Sequence, residues 1–408
     1  MKKIILLLIS LLALTLTLCS CEGNSSADSL TLYVYNWGEY ISDGSEDSLN
    51  VNEEFEKYCM EKLGLDVTVN YSTYSSNEDL YAKLSGGAVS YDVVIPSDYM
   101  LARLASEGLL MELNPKDNIE NYINIDDKFK GLYYDPEEIY SVPYTYGTVG
   151  IIYNTDMVSA DDDDLGQWSL LWDEDHAGNI LQFNNPRDAF GTAQFYLGYS
   201  INSNDESEWR KALDALKAQK SVVQGYVMDE IFNKLKGGSA AIAPYYAGDF
   251  FTMYADNELL DFYYPEGATN VFVDAMCIPS NAQSPELAME YINFMLTKEI
   301  AIANAEYICY ASPNKLVFED EEYISYMTDE VHPDAMTILY DFDMESMEFY
   351  HDLPTETRML MNELWEELKI ESSVGQAVYI ICYVIIAVIA IGAVCYFIRK
   401  KKREALYD

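Results

Sequence analysis

Histidine is almost missing. The 408 residues hold only His176, His332 and His351, and no two of them stand at a metal-ligand spacing. That scarcity removes the commonest general base and the commonest zinc ligand. The chain also has no H-E-x-x-H, no G-x-S-x-G and no phosphate-cradling glycine loop, so the metalloprotease, serine-hydrolase and nucleotide-binding readings have no motif to rest on. Paired carboxylates are plentiful, but without a defined separation they do not indicate a glycosidase. The expectation is a chain that is not an enzyme, with no cofactor and no metal. The acidic run 161–164 is read as a solvated loop, since no ligand spacing follows it.

Positive charge is the second shortage: 25 Lys and Arg stand against 68 Asp and Glu. Seven of those bases (Lys2, Lys3 and 399–403) and two of the acids (Glu404, Asp408) sit at the extreme ends. The residues between therefore carry 66 acids against 18 bases, a net of −48. Such a surface repels nucleic acid, which is not expected as a partner, and attracts cations. Cysteine is scarce too. Outside the terminal segments only Cys59, Cys277 and Cys309 remain, with no C-x-x-C pair. One disulfide or three buried thiols both stay open, and the apolar, strand-like surroundings of Cys277 and Cys309 favour thiols.

The ends carry two kinds of membrane signal. Residues 1–20 combine a basic start with an apolar run too short to span a bilayer, which predicts a signal peptide. Leu18-Cys19-Ser20-Cys21 resembles the bacterial lipobox, which makes Cys21 the expected lipidation site and 21–30 a polar tether. Residues 375–398 contain no charge and are long enough to cross a hydrocarbon core of ~30 Å as a transmembrane helix. The basic tail 399–408 follows, so the positive-inside rule puts the C-terminus in the cytoplasm and the folded part outside.

Between the anchors the length suits two lobes, and the pattern alternates strand and helix as in an α/β fold with a mostly parallel sheet. Strands are expected at 31–35, 66–71, 91–96, 239–244 and 271–279. A helix should start at 76–79, with Asn77 as its N-cap and Leu80 and Leu84 inward. Others are expected over 206–220, with Trp209, Leu213 and Leu216 inward, and after Ser284-Pro285.

Several long stretches occur in one order: 33–40 (YVYNWGEY), 72–84, 91–100 (YDVVIPSDYM), 142–154 (VPYTYGTVGIIYN), 184–202, 272–296 and 310–314. With them the chain resembles the spermidine/putrescine-binding proteins of polyamine ABC transporters, from 31 to about 368. The resemblance implies a two-lobe periplasmic-binding-protein fold closing over ligand. Lobe 1 would comprise 31–146 and 274–319, and lobe 2 would comprise 147–273 and 320–370. The partners implied are a polyamine ligand and the permease subunits of an ABC transporter.

The resemblance also carries ligand contacts to particular positions. Trp37 and Tyr40 fall on the first wall, followed by Ser97 and Tyr99, which an extended backbone would point the same way with Asp98 opposite. Asp188 falls on a ligand carboxylate, and Asn185 stands where polyamine receptors often carry aspartate. Tyr246 and Phe272 replace tryptophans, with Tyr245 a one-residue alternative to Tyr246. Asp274 keeps the second principal carboxylate, and Tyr310 matches a cleft tyrosine. Tyr350 is a looser match to a polar contact, and Arg187 is expected to pair with a carboxylate of its own lobe. Carboxylates for the ammonium groups and aromatic rings for the methylenes between them are the chemistry a polyamine needs. The other readings are a receptor of the same fold for iron, thiamine or a phosphonate, and a ligand sensor, but the five residues after 403 cannot hold a signalling domain, which favours transport over sensing.

Overall fold

The structure is a computed structural model that describes residues 29–370, except 46–47, 343 and 345–346, together with residue 386. The signal peptide, most of the tether, the 375–398 span apart from residue 386, and the basic tail lie outside the described residues. Among the described residues no helix is long and apolar enough to cross a membrane.

The strands are β1 (Leu30–Trp37), β2 (Val67–Tyr74), β3 (Val93–Val94), β4 (Ser141–Asn154), β5 (Ile180–Phe183), β6 (Val223–Val227), β7 (Ile242–Tyr246), β8 (Leu260–Tyr263), β9 (Asn270–Cys277) and β10 (Glu348–Phe349). They join in the order β2-β1-β3-β9-β4-β7-β5-β6, with β10 beside β9 and β8 beside β4. At one end β1 runs parallel to both β2 and β3; at the other β5 runs parallel to both β6 and β7. Helices between consecutive parallel strands cover the sheet, as β-α-β connections require. The result is the two-lobe α/β architecture of periplasmic binding proteins.

The long strand β4 belongs to both halves. Its first part, Ser141 to Thr148, pairs antiparallel with β9, and Val149 to Asn154 pairs with β7 and β8. Nearly every residue of β4 and all of β9 is buried.

Local details differ from the sequence expectations in several places. Ser76, not Asn77, caps the helix Asn77–Ser85: its side chain accepts from the amide of Asp79, while Leu80 and Leu84 are buried as expected. Asn77 faces inward and exchanges hydrogen bonds of 3.1 Å with Ser97. Residues 97–99 are not extended, because the helix Asp98–Ser106 begins there with Ser97 as its N-cap, so Asp98 does not point away from the others. The strand expected at 239–244 begins three residues later, at Ile242. Cys309 lies in no strand; it takes a left-handed conformation (φ 56°) at the end of the helix Lys298–Ile308. All three described cysteines are free and buried, and burial pushes the Cys59 thiol up to about 11.

Candidate ligand cleft

The carboxyl ends of the parallel strands supply most of the cleft, as expected for open α/β sheets. β1 runs out at Trp37 into Gly38-Glu39-Tyr40, and β3 leads within three residues to Ser97. β5 leads to Asn185, the N-cap of the helix Pro186–Tyr196, and β7 ends at Tyr246, the N-cap of the helix Ala247–Tyr254. β9 crosses the floor with Phe272 and Asp274. Tyr310 arrives from the left-handed turn at Cys309.

These segments enclose a cavity of about 870 Å³, its open mouth included. All ten positions singled out from the sequence line it: Trp37, Tyr40, Ser97, Tyr99, Asn185, Asp188, Tyr246, Phe272, Asp274 and Tyr310. Tyr350 and Tyr245 do so as well. Its acidic lining residues are Glu39, Glu78, Asp98, Asp188, Asp229, Asp249 and Asp274, and no Lys, Arg or His joins them.

Each principal carboxylate is held by a tyrosine. Tyr40 donates to Asp274 Oδ2 at 2.6 Å, while Asp274 Oδ1 is buried and accepts nothing from the protein. Burial pushes the Asp274 carboxyl up to about 6 against the pull of the hydrogen bond from Tyr40. Tyr310 donates to Asp249 Oδ2 at 2.9 Å, and burial pushes that carboxyl up to about 7. Tyr246 donates to Asp188 Oδ2 at 2.9 Å, beside the side-chain amide of Asn185. Burial raises Asp188, and its hydrogen bonds with Asn185, Tyr246 and Tyr350 hold it back. Tyr99 donates to Glu78 at 3.1 Å. The rings of Tyr246, Phe272 and Tyr310 run between Asp188 and Asp249, with successive centroids 5.5 and 6.2 Å apart.

Tyr310 fits only because residue 248 has no side chain: a Cβ on Gly248 would overlap its ring. Asn185 is partly committed, since its side-chain oxygen accepts the amide of Asp188 at 2.9 Å as a helix cap. Arg187 departs from expectation. It is 3% exposed and makes no ion pair with a carboxylate within 4.0 Å among the described residues. Its Nη2 donates to Asn202 Oδ1 and to the carbonyl of His351, and its guanidinium lies over the rings of Tyr350 and Tyr99. The acidic run 161–164 is a turn in which Asp162 bonds His176 at 2.9 Å, with Asp173 close by.

The sequence reasoning left Glu39, Glu78, Asp229 and Asp249 unassigned and turned Asp98 away from the other contacts. Asp98 and Asp249 had a readable signal, an acid in the first turn of a helix that follows a strand end. Glu78 shared that signal, standing in the first turn of the helix after β2 and inside the motif stretch 72–84, whereas Asp229 lies outside those stretches.

Comparison with known proteins agrees with this architecture. Residues 53–329 match the family of bacterial extracellular solute-binding proteins. The spermidine/putrescine-binding periplasmic protein of Escherichia coli is 33% identical over 290 residues, 70% of this chain and 78% of that protein. The putrescine/cadaverine-binding protein of Pseudomonas aeruginosa is 29% identical over 351 residues, 83% of this chain and 93% of that protein. Among solved structures, a putative spermidine/putrescine ABC transporter protein from Listeria monocytogenes superposes with a TM-score of 0.74 at 31% identity, covering 84% of this chain and all of the other. By family match, fold and cleft alike, the chain belongs to the bacterial extracellular solute-binding proteins.

Proposed function

We propose that this chain captures a polyamine, spermidine or putrescine in class, outside the membrane and delivers it to the permease of an ABC transporter. The observation that carries this reading is the cavity lining: seven carboxylates, no basic side chain, and aromatic rings between the acids. A polyamine presents ammonium groups separated by methylenes. The carboxylates neutralise the former, and the rings cover the latter while attracting each cation by ~0.5–2 kcal/mol. The names of the similar proteins from E. coli and P. aeruginosa support the same class.

In this reading Asp274, Asp188 and Asp249 receive ammonium groups, with Trp37, Tyr40, Tyr99, Tyr246, Phe272 and Tyr310 as walls. Ser97 and Asn185 position the carboxylates. The lobes divide at the crossings of β4 and β9, as 31–146 with 274–319 and 147–273 with 320–370. Lipidation at Cys21 and a span over 375–398 hold the receptor beside its permease and raise the effective concentration for docking.

The test is thermal unfolding of the full-length chain against putrescine, cadaverine, spermidine, spermine, thiamine, Fe(III) and a phosphonate. A ligand taken up only by the folded state stabilises it by ~2.7 kcal/mol at a hundredfold excess over Kd. A shift with polyamines alone is expected. A shift confined to iron, thiamine or phosphonate overturns the ligand class and leaves the fold intact.

A further inference from the structure

The cavity has no basic lining residue, yet a buried cation stands directly behind one wall. The guanidinium of Arg187 lies 4.5 Å from the Tyr350 ring centroid and 5.8 Å from that of Tyr99. Both rings line the cavity and meet edge to face at 5.9 Å. Nε and Nη1 of Arg187 are buried without a hydrogen-bond partner. Holding an arginine there is costly, because neither a carboxylate nor a full set of acceptors compensates the desolvation. A purely structural role would be served at lower cost by an uncharged side chain, which points to the charge itself.

Charge is distributed unequally along the cavity. The inner end holds Asp188 and Glu78, and both feel the field of Arg187. Arg187 is the cation acting on these two carboxylates, and it offsets part of the negative charge at that end. The opposite end holds Asp249, with Glu39 and Asp229 acting on it and no cation nearby to offset them. Glu39 and Asp229 are exposed, so this end also faces solvent.

We propose that Arg187 is a specificity-determining residue that limits the inner end to a single ammonium group. Resting on the polyamine reading above, this orients the ligand. A terminal ammonium with a long methylene spacer enters toward Asp188 and Glu78, and further charges lie toward Asp249, Asp229 and Glu39. A second ammonium close behind the first would meet the field of Arg187 in a poorly screened site, where a unit charge a few ångströms away is worth far more than in water.

The experiment is calorimetry on the full-length protein in detergent with 1,4-diaminobutane and with the triamine that adds a three-carbon aminopropyl arm. Arg187→Gln should lower the ratio of triamine Kd to diamine Kd about tenfold. Arg187→Lys, which keeps the charge, should leave the ratio at the wild-type value. Glu78→Gln removes an opposing charge and should move the ratio the other way, which keeps the test decisive should Arg187→Gln fail to fold. If Arg187→Gln weakens both amines by the same factor, or if the ratio ignores Glu78→Gln, Arg187 is only structural and the inference is wrong. A wild-type protein that binds neither amine overturns the polyamine reading itself, a result distinct from an unchanged ratio.

Discussion

At the scale of single residues, Asp274 and Asp249 have opposite effects on the empty and the loaded protein. Their folded values, about 6 and about 7, lie above the ordinary aspartate value. A carboxyl raised by folding binds more protons folded than unfolded, so it favours the empty protein at low pH. That contribution is lost as pH rises from about 4 through its folded value. Polyamine binding needs the ionised form, so affinity should rise through pH 6 to 7, the interval in which the unliganded melting temperature falls. Melting curves and calorimetric Kd values over pH 5 to 8 check this crossing of trends. Asp274→Asn keeps an acceptor for Tyr40 but removes the charge. It should cost ~1.5–3 kcal/mol of binding, about ten- to a hundredfold in Kd, with the empty protein no less stable. Equal loss of stability and no loss of affinity would instead mark Asp274 as a structural carboxylate. The site was largely legible at this scale because its residues sit in long motifs at strand ends. Arg187 was misread because sequence pairs charges by type, whereas the fold set this one against tyrosine rings.

At the scale of elements, the helix Asn77–Ser85 shows what one-residue offsets mean. Ser76 and Asn77 are both good caps, and the pattern of Leu80 and Leu84 does not choose between them. The fold chooses, because Asn77 is needed inside to hold Ser97. Ser76→Ala should therefore cost ~0.5–2 kcal/mol of stability with little change in polyamine affinity. Chemical denaturation alongside calorimetry separates the two. The helix Ala247–Tyr254 makes the reverse case. Gly248→Ala adds a methyl group where the Tyr310 ring lies, so Tyr310 should lose its place against Asp249. Affinity should fall at least tenfold, about 1.4 kcal/mol, although alanine is the better helix former. Wild-type affinity in Gly248→Ala would show that Tyr310 is not needed where the structure puts it. Of the ten strands among the described residues, β1, β2, β3, β7 and β9 were legible from apolar runs, while β4, β5, β6, β8 and β10 were not read as strands in this way. β3 narrowed to two paired residues ahead of Pro96, which cannot donate to a ladder. The helix at Asp98 hid behind a segment that also reads as extended. Spatial proximity is not visible in local composition.

At the scale of the whole molecule, the described fold ends at residue 370 in a helix whose Leu364 and Leu368 are buried and whose Glu367 pairs with Lys217 at 2.7 Å. β1 begins at Leu30, toward the other end of the strand order. The proposed lipid at Cys21 and span over 375–398 would tie each end of the folded part to the membrane separately. Cys21→Ala should abolish lipid labelling yet leave the protein in the membrane fraction. The same variant truncated after residue 370 should be released, and fractionation with a lipid-labelling assay checks both. A truncated, unlabelled protein that stays in the membrane would show that some other contact anchors it.

The one-signed lining of the cavity has a mechanical consequence. Seven acids drawn from both halves of the sheet line one space, with Asp98, Asp188 and Asp274 buried and Glu39 and Asp229 exposed at its mouth. Without a cation between them these acids repel one another, so any arrangement that brought the halves closer together would store that repulsion as a compressed spring does. A polyamine removes that repulsion from within. Closure then reports occupancy by positive charge, and an uncharged molecule of the same shape would leave the spring under load.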